Sequence, residues 1–525
     1  MLKSLPRSVA HVGLIFIILL SFGLRVYKLD VQSLWWDELY TVARSAMTVS
    51  ELIEDLFSAR VHLPFYFVIL QVWTEIGRSA FIIRYFSVVA GVLTVPLIYI
   101  TGKRLSGRSV GLTAAFLLAI APFHIWFSQE ARMYSFLALN ALAANYFLLR
   151  LLHRDKRGDW LGYAITLTLT LYTHYLGVLI LIAHYVFFSL SYRQNPARFK
   201  RWFLSASIAA VLFLAWFLAV FLISSFRHAE IGWIVPVNWY QPLVTLFNFS
   251  IGPTIDPTTA WPYVAFSVYL IGLTAVYWLV SRDKTIPDSK RLSMRLLWCW
   301  LAVPLLFLML ISLDWSIPDQ RFIYMDRYIT SLVPAFILLA AWGLVTLARQ
   351  RWSPGWLLLI LLILVLTPTL FSWQNLYFNL DYARDDWRSA FKQIEVTQQE
   401  NDALLLLPFQ IRAYAYYGAE RTDYTILSDV FVCEDEERYS GFSSTQQCMN
   451  NMLQTEIDSL PIDTERVWLI SSYHNNNTHG FPHERNALAA LAPPNWYEQW
   501  FDQNYTAVTQ WHFTGIRLTL YDLTK

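Results

Sequence analysis

The chain has 525 residues, of which 56% are hydrophobic and only 15% charged, and a net charge of +2. A soluble globular protein carries about 25% charged residues, so this composition excludes an ordinary soluble enzyme and turns much of the surface toward lipid. The basic residues fall in short clusters that fit membrane-flanking loops, which leaves no nucleic-acid signature. The 23 Trp and 29 Tyr suit the headgroup layer, where one end of a side chain is apolar and the other wet.

In chain order, Lys3 and Arg7 precede an apolar run with the outline of a signal peptide. No small-x-small cleavage site follows, so the run reads as a retained first span. A span needs roughly 20 apolar residues. The predicted spans are 9–24, 81–101, 110–127, 134–152, 160–175, 176–191, 202–224, 261–281, 296–313, 328–348 and 355–373. The basic loops at 103–108, 153–157, 193–201, 282–295 and 349–351 all lie inside when the N-terminus is inside. The C-terminus is then outside. The run 160–191 is too long for one helix, and Thr173-His174-Tyr175 is expected to break it at an outer turn. The apolar segment 64–76 is short and is expected to lie along the outer surface. Residues 48–60 read as an amphipathic interfacial helix, and 237–251 as a partial or re-entrant element.

From about Asp381 the character becomes that of a soluble domain. Residues 403–407 and 467–470 read as buried strands, a helix begins at 412–417, and 507–520 reads as a hairpin around Thr514-Gly515. Two domains are therefore predicted, a membrane domain over 1–380, with a first outer loop at 25–80, and an extracytoplasmic α/β domain over 381–525. Cys433 and Cys448 face an outside loop, where an oxidising compartment permits a disulfide. Cys299 lies in a span and reads as buried.

The outer face collects Arg25, Asp37, Glu38, His62, Arg84, Gln129, Glu130, Arg132, Tyr134, His174, Tyr175, His228, Glu230, Asp319, Arg321, Asp326, Arg327 and Tyr328. Carboxylates beside hydrocarbon are costly, so Asp37 and Glu38 within Trp35-Trp36-Asp37-Glu38 mark a site. Several arginines with acids suit a polyanion, and a lipid phosphate is the polyanion at hand. A carboxylate beside it can take a proton from an acceptor hydroxyl.

Six stretches carry a family resemblance. Trp35-Trp36-Asp37-Glu38 resembles the acidic signature in the first outer loop of GT-C superfamily glycosyltransferases. His62-Leu63-Pro64-Phe65-Tyr66 resembles their His-Pro-Pro-Leu-Tyr motif, with Leu63 where the pattern has its first proline. Arg84-Tyr85-Phe86-Ser87 and the stretch from Pro122 to Tyr134 are similar to segments of the bacterial members. Arg327-Tyr328 before Leu332-Val333-Pro334 resembles a later span start, and Asp386-Trp387-Arg388 the opening of the tail. The resemblance is to bacterial protein-mannosyltransferase-like proteins and lipid A aminoarabinose transferases. It implies a polytopic α-helical GT-C fold of about 11 to 13 membrane helices, with the soluble α/β domain at the C-terminus, in a bacterial inner membrane.

The resemblance further implies an inverting transferase that moves a sugar from a polyprenyl-phosphate donor to an acceptor (lipid, glycan or protein) at the outer face. Asp37 takes the general-base role, and Glu38 supports it or orients the acceptor. Arg84, Arg132, Arg327 and Tyr328 are implied at the donor phosphate, and His62, Glu130, Tyr134, His174 and Tyr175 around the substrate. A divalent metal is a possible cofactor, with His62, Glu130 and His174 as contributors.

Each residue also has a structural reading. Asp37 caps the following helix; Glu38 is a structural acid; Arg84 snorkels from a span end. Arg132 pairs with Glu130 and Arg327 with Asp326. His62 is a turn residue, His174 and Tyr175 end two spans, and Asp386 and Arg388 organise the tail. The competing function is a transporter or flippase of a lipid-linked saccharide. Transporters commonly show inverted repeats and midplane charges, whereas here the charges collect at one face and no repeat is evident.

Overall fold

The computed structural model describes the chain apart from residues 1–5, 60–61, 195, 224–233, 235, 257–258, 283–285, 317–321, 351–353, 408–409, 419–424, 427–441, 473–494 and 525. His228, Glu230, Asp319, Arg321 and Cys433 lie outside the described residues, as does the side chain of Cys448. The chain divides into two units. One comprises Met1–Leu29 and Arg44–Phe378; the other comprises Asp30–Ala43, Asn379–Asn476 and Pro482–Lys525.

In chain order the first helices are α1 (Arg7–Val26), α2 (Trp36–Ala46), α3 (Val49–Ala59), α4 (Pro64–Trp73), α5 (Ala80–Ser106), α6 (Arg108–Ile120), α7 (Pro122–Ser128) and α8 (Tyr134–His153). They are followed by α9 (Arg157–Thr173), α10 (Val178–Ser191), α11 (Pro196–Ile223), α12 (Gln241–Ile251), α13 (Pro262–Arg282), α14 (Asp288–Ser312), α15 (Val333–Ala348) and α16 (Gly355–Phe378). Among the described residues, eight helices are long and apolar enough to cross a membrane: α1, α5, α8, α11, α13, α14, α15 with the turn before it, and α16. Eight of the predicted spans fall on them. The predicted spans 160–175 and 176–191 fall on the 17-residue α9 and on the short apolar helix Tyr175–Ser191. Both are shorter than the roughly 20 residues of an ordinary span. The chain does break between them, since α9 stops at Thr173 and His174 is extended.

The predicted span 110–127 is a broken one, α6 and α7 meeting at 61°. Pro122 causes the break: it has no N–H to give the carbonyl four residues back and its ring clashes there. The break releases carbonyls in an apolar interior, where each must find a donor. The guanidinium of the fully buried Arg25 donates to Leu118 O at 3.2 Å and Ala119 O at 3.0 Å. The Trp373 indole donates to Ile120 O at 3.2 Å. Arg25 also reaches Ser21 Oγ at 2.7 Å and a His124 ring nitrogen at 2.8 Å. Gln129 in turn donates to Arg25 O at 3.1 Å and Tyr27 O at 3.0 Å, closing the end of α1. Arg25 and Gln129 thus serve the fold.

Without a hydrophobic force between helices in lipid, close backbone approach at small residues holds the bundle together. Helices α13 and α15 touch in this way: a Cβ at Gly272 would come within 2.6 Å of Ala340 O, and one at Gly343 would land on the Gly272 carbonyl. Gly343→Leu is expected to push the two helices apart and cost about 1–3 kcal/mol or more. A lower thermal unfolding temperature in detergent checks it; an unchanged one would contradict this packing.

The segments before α5 are short helices. A capping box opens α3, Thr48 N–H giving to Glu51 at 2.7 Å and Glu51 N–H to Thr48 Oγ1 at 3.3 Å. Leu52 and Leu56 are buried while Glu51 and Glu54 are exposed, the predicted amphipathic pattern. Residues 64–76 form α4, with Pro64 in its first turn, and one further 3-10 turn.

The second unit is a five-stranded sheet with helices. Strands β1 (Asp402–Leu406), β2 (Thr425–Ile426), β3 (Arg466–Ser472), β4 (Thr506–Phe513) and β5 (Ile516–Asp522) lie in the order β2-β1-β3-β5-β4. β1 is parallel to β2 and β3, and β5 is antiparallel to β3 and β4. The β4–β5 turn holds Gly515 at φ 69°, a left-handed conformation that glycine takes without cost. Leu405, Leu453, Leu469, Trp500 and Phe501 form the core on one side. Helices α17 (Trp387–Thr397), α18 (Ile411–Tyr417), α19 (Phe442–Asp458) and α20 (Trp496–Asn504) complete the unit. The expected strands, hairpin and helix start are all present; the two-residue β2 is an addition.

Candidate active site

The two acids of the first loop stand on α2 and differ sharply. The helix begins at Trp36, which makes Trp35 the capping position and Glu38 the third helical residue. Glu38 reaches back to accept from the Trp35 N–H at 3.3 Å, half of a capping box. The fully buried Glu38 carboxylate also accepts from the guanidinium of Arg384, 346 residues away. Asp37, in the first turn, is partly exposed. At about 100° per residue, Trp36, Tyr40 and Asp37 share one arc of the helix. All three are partly exposed, whereas Glu38, Leu39 and Thr41 are buried. The helix N-terminus favours negative charge at Asp37. Asp37 is thus the partly exposed acid of the pair, and Glu38 the acid that holds the turn.

The membrane unit carries a basic cluster. His62 lies between two guanidiniums: its Nδ1 is 2.9 Å from Arg44 and its Nε2 is 2.6 Å from Arg132. A neutral imidazole accepts at only one nitrogen, so one contact is a hydrogen bond and the other brings two donors together. The residue keeps some exposure while both ring nitrogens are covered. Burial, then Arg132, Arg44, His174 and Arg327, hold its pKa well below the usual imidazole value. His174 is pushed down to about 3 by burial, then by Arg132 and Arg327. Its Nδ1 accepts from Leu176 N–H at 3.1 Å, which leaves the proton on Nε2. Both rings are therefore neutral at pH 7, and the guanidiniums carry the charge.

Aromatic rings border this cluster. Tyr328 is 5.0 Å from the His174 ring and 6.4 Å from Tyr134, between ring centroids, and the Arg327 guanidinium is 5.4 Å from the Tyr328 ring. Arg327 and Tyr328 stand on a 3-10 turn, Asp326–Leu332, fixed at three points. Asp326 accepts from Thr245 at 2.6 Å and Asn248 at 2.5 Å, Thr330 gives to Tyr134 O at 3.0 Å, and Trp300 to Ser331 O at 3.0 Å. Asp326 is thus held by α12. His62, Arg132, His174, Arg327, Tyr134 and Tyr328, scattered over 267 positions in the chain, are brought together.

The remaining predicted residues lie as follows. Arg84 does not snorkel: it is buried and donates to Leu29 O at 2.8 Å. Glu130 is buried and accepts from the Trp126 indole at 3.2 Å. Tyr175 is partly buried and meets Phe213, with 6.4 Å between centroids. The metal expectation does not fit these residues. Among the described residues no group of three His, Cys, Asp or Glu side chains could hold an ion. His62 faces two cations, which would repel a third. Asp386 caps α17, accepting from Ser389 N–H at 3.2 Å, and Arg388 donates to Asp30 O at 3.0 Å, so both organise the tail.

Sequence reasoning missed Arg44 and Arg384. Arg44 is buried between Asp55, at 2.6 Å, and His62, at 2.9 Å. The one available signal was its place seven residues, two helical turns, after Asp37. Arg384 stands beside the Asp386-Trp387-Arg388 stretch but outside it.

Residues 61–224, less than half of the chain, match the family model for dolichyl-phosphate-mannose-protein mannosyltransferases. No curated protein sequence matches the chain. Among solved structures it is similar to ArnT from Cupriavidus metallidurans bound to undecaprenyl phosphate, at 12% identity and TM-score 0.60, over 97% of this chain and 98% of that one. The oligosaccharyltransferase of Archaeoglobus fulgidus is similar at 12% identity and TM-score 0.55, over 89% of this chain and 70% of that one. The mycobacterial arabinofuranosyltransferase AftD is similar at 13% identity and TM-score 0.52, over all of this chain and 40% of that one. These likenesses show the fold, and it is the GT-C fold that the motifs resembled. The family match over residues 61–224 agrees with that fold.

Proposed function

We propose that the chain transfers a sugar from a polyprenyl-phosphate donor to an acceptor hydroxyl at the outer face of a bacterial inner membrane, with inversion and with Asp37 as general base. The acceptor O–H gives its proton to the Asp37 carboxylate while its oxygen bonds to the anomeric carbon. The bond from that carbon to the phosphate oxygen breaks, and the polyprenyl phosphate leaves with the electron pair. Charge therefore develops on the phosphate, where fixed donors stabilise it most.

The observation that carries this reading is the cluster of Arg44, His62, Arg132, His174 and Arg327. Guanidiniums concentrated around two neutral imidazoles, at one end of apolar helices, suit an anion on a lipid. Arg132, Arg327 and Tyr328 are assigned to the donor phosphate, with His62 between them and Arg44. His174, Tyr134, Glu130 and Tyr175 are assigned to the substrate surround. Arg84 acts through Leu29, as a support. The undecaprenyl phosphate in the similar structure of ArnT supports the lipid carrier. The five basic loops support a cytoplasmic N-terminus and an outer C-terminal domain. Outside the cell no soluble nucleotide sugar is at hand, which favours a lipid-linked donor.

Arg132→Gln keeps a polar, hydrogen-bonding side chain and removes the charge. A charge-assisted hydrogen bond contributes about 1.5–3 kcal/mol, so undecaprenyl phosphate should bind about 10- to 150-fold more weakly. Calorimetry with purified protein in detergent checks this. Unchanged binding in both Arg132→Gln and Arg327→Gln would remove the phosphate from this cluster.

A further inference from the structure

Between Asp30 and Tyr40 the first loop is held by residues more than 340 positions further on, within one unit. Ser33 Oγ donates to Asp386 at 3.2 Å and accepts from the Arg388 N–H at 3.1 Å. The buried Leu34 N–H donates to the Tyr417 hydroxyl at 2.7 Å. Arg384 N–H donates to Gln32 Oε1 at 3.3 Å, and its guanidinium donates to Glu38 and lies 5.9 Å from the Trp35 ring. The Arg412 guanidinium stacks 3.6 Å over Tyr40. These partners come from three places, the turn before α17, the start of α17, and α18. They seize the residues on both sides of Asp37 and leave its own face of α2 partly open.

We propose that the C-terminal domain is the jig that aims the base, with Arg384 and Tyr417 as positioning residues for Asp37. This rests on the reading of Asp37 as general base. Arg384 acts through Glu38, one residue along the helix from Asp37. Tyr417 fixes the backbone at Leu34, just before the helix cap. Together they set where α2 starts and how it is rotated, and hence where the Asp37 carboxylate points. A misplacement of about 1 Å at a reacting group can cost 10²-fold in rate, so a fixed loop serves catalysis beyond its stability.

The test uses full-length protein in lipid nanodiscs, as wild type, Arg384→Gln, Arg384→Lys and Tyr417→Phe. Polyprenyl phosphate release from a polyprenyl-phosphate sugar is read alongside hydrogen exchange. Arg384→Gln is expected to lower kcat about 10- to 100-fold while the donor KM stays within about twofold. Arg384→Lys, which keeps the charge on Glu38, should recover most of that loss, and Tyr417→Phe should show a smaller loss of kcat alone. Exchange should rise over residues 33–40 and not through the β-strands of the tail. A kcat within about twofold of wild type in Arg384→Gln and Tyr417→Phe would overturn the proposal. So would exchange that rises through the whole tail, since that marks unfolding. If wild type releases nothing, the failure belongs to the catalytic reading. Hydrogen exchange then decides alone, and unchanged protection of 33–40 in both variants would show that the tail does not hold the loop.

Discussion

Asp37→Asn is expected to reduce transfer about 10²–10⁴-fold, the range in which a positioned general base contributes. The substitution keeps the size but exchanges a charged carboxylate for a neutral amide, which cannot take the proton. It should largely preserve folding, because Asp37 is partly exposed in the first turn of α2 and, unlike Glu38, is not enclosed. It should also leave donor binding intact, since binding is assigned to the arginine cluster. The neighbouring acid should behave in the opposite way. Glu38 is buried and bonded to Arg384 and to the Trp35 N–H. Removing its charge leaves a nearly enclosed guanidinium without its carboxylate, a change that costs about 3–5 kcal/mol in buried pairs. Glu38→Gln should therefore lower the unfolding temperature as well as activity, and Asp37→Asn activity alone. Equal loss of stability in the two variants would put both acids in a structural role.

Arg25→Leu is expected to damage the membrane unit itself. The side chain is fully buried and its guanidinium closes the Leu118 and Ala119 carbonyls opened by Pro122. Leucine fills the space but donates nothing. The Ala119 carbonyl loses its donor, at about 1–3 kcal/mol, while Leu118 O keeps only the long bond from the Ala121 N–H at 3.4 Å. Lower yield of monodisperse protein and a lower unfolding temperature in detergent check this. Arg25→Leu with wild-type stability would mean that other donors reach those carbonyls. The kink matters for function because α7 leads into Gln129 to Tyr134, the stretch that supplies Arg132 and Tyr134. A displaced kink should therefore also weaken undecaprenyl phosphate binding.

The sequence made legible whatever depends on local pattern. Eight predicted spans fall on long apolar helices, because twenty apolar residues leave few other choices. The break at His174 was readable from a run too long for one helix, and the terminal hairpin from Thr514-Gly515. The bend at Pro122 was not, since proline is tolerated in membrane helices when other groups take up the freed carbonyls. Here those groups are Arg25 and Trp373, distant in sequence. The unequal roles of Asp37 and Glu38 were equally hidden. Two adjacent acids look alike until one of them meets Arg384. Arg44 escaped because a buried arginine and a solvated one have the same letter. Strand β2 escaped because two residues show no alternation. The metal reading grouped His62, Glu130 and His174 by type, whereas the fold sets His62 between two guanidiniums.

The central claim is that a sugar leaves a polyprenyl phosphate on this protein. The most direct measurement places purified wild type in vesicles with a panel of radiolabelled polyprenyl-phosphate sugars and a membrane lipid and glycan extract as acceptor, and reads the free polyprenyl phosphate released. Release with at least one donor, with the labelled sugar passing to an acceptor and its anomeric configuration inverted in the new bond, is the result expected. Movement of intact donor from one leaflet to the other, with no release from any member of the panel, would contradict the transferase reading and establish a transporter.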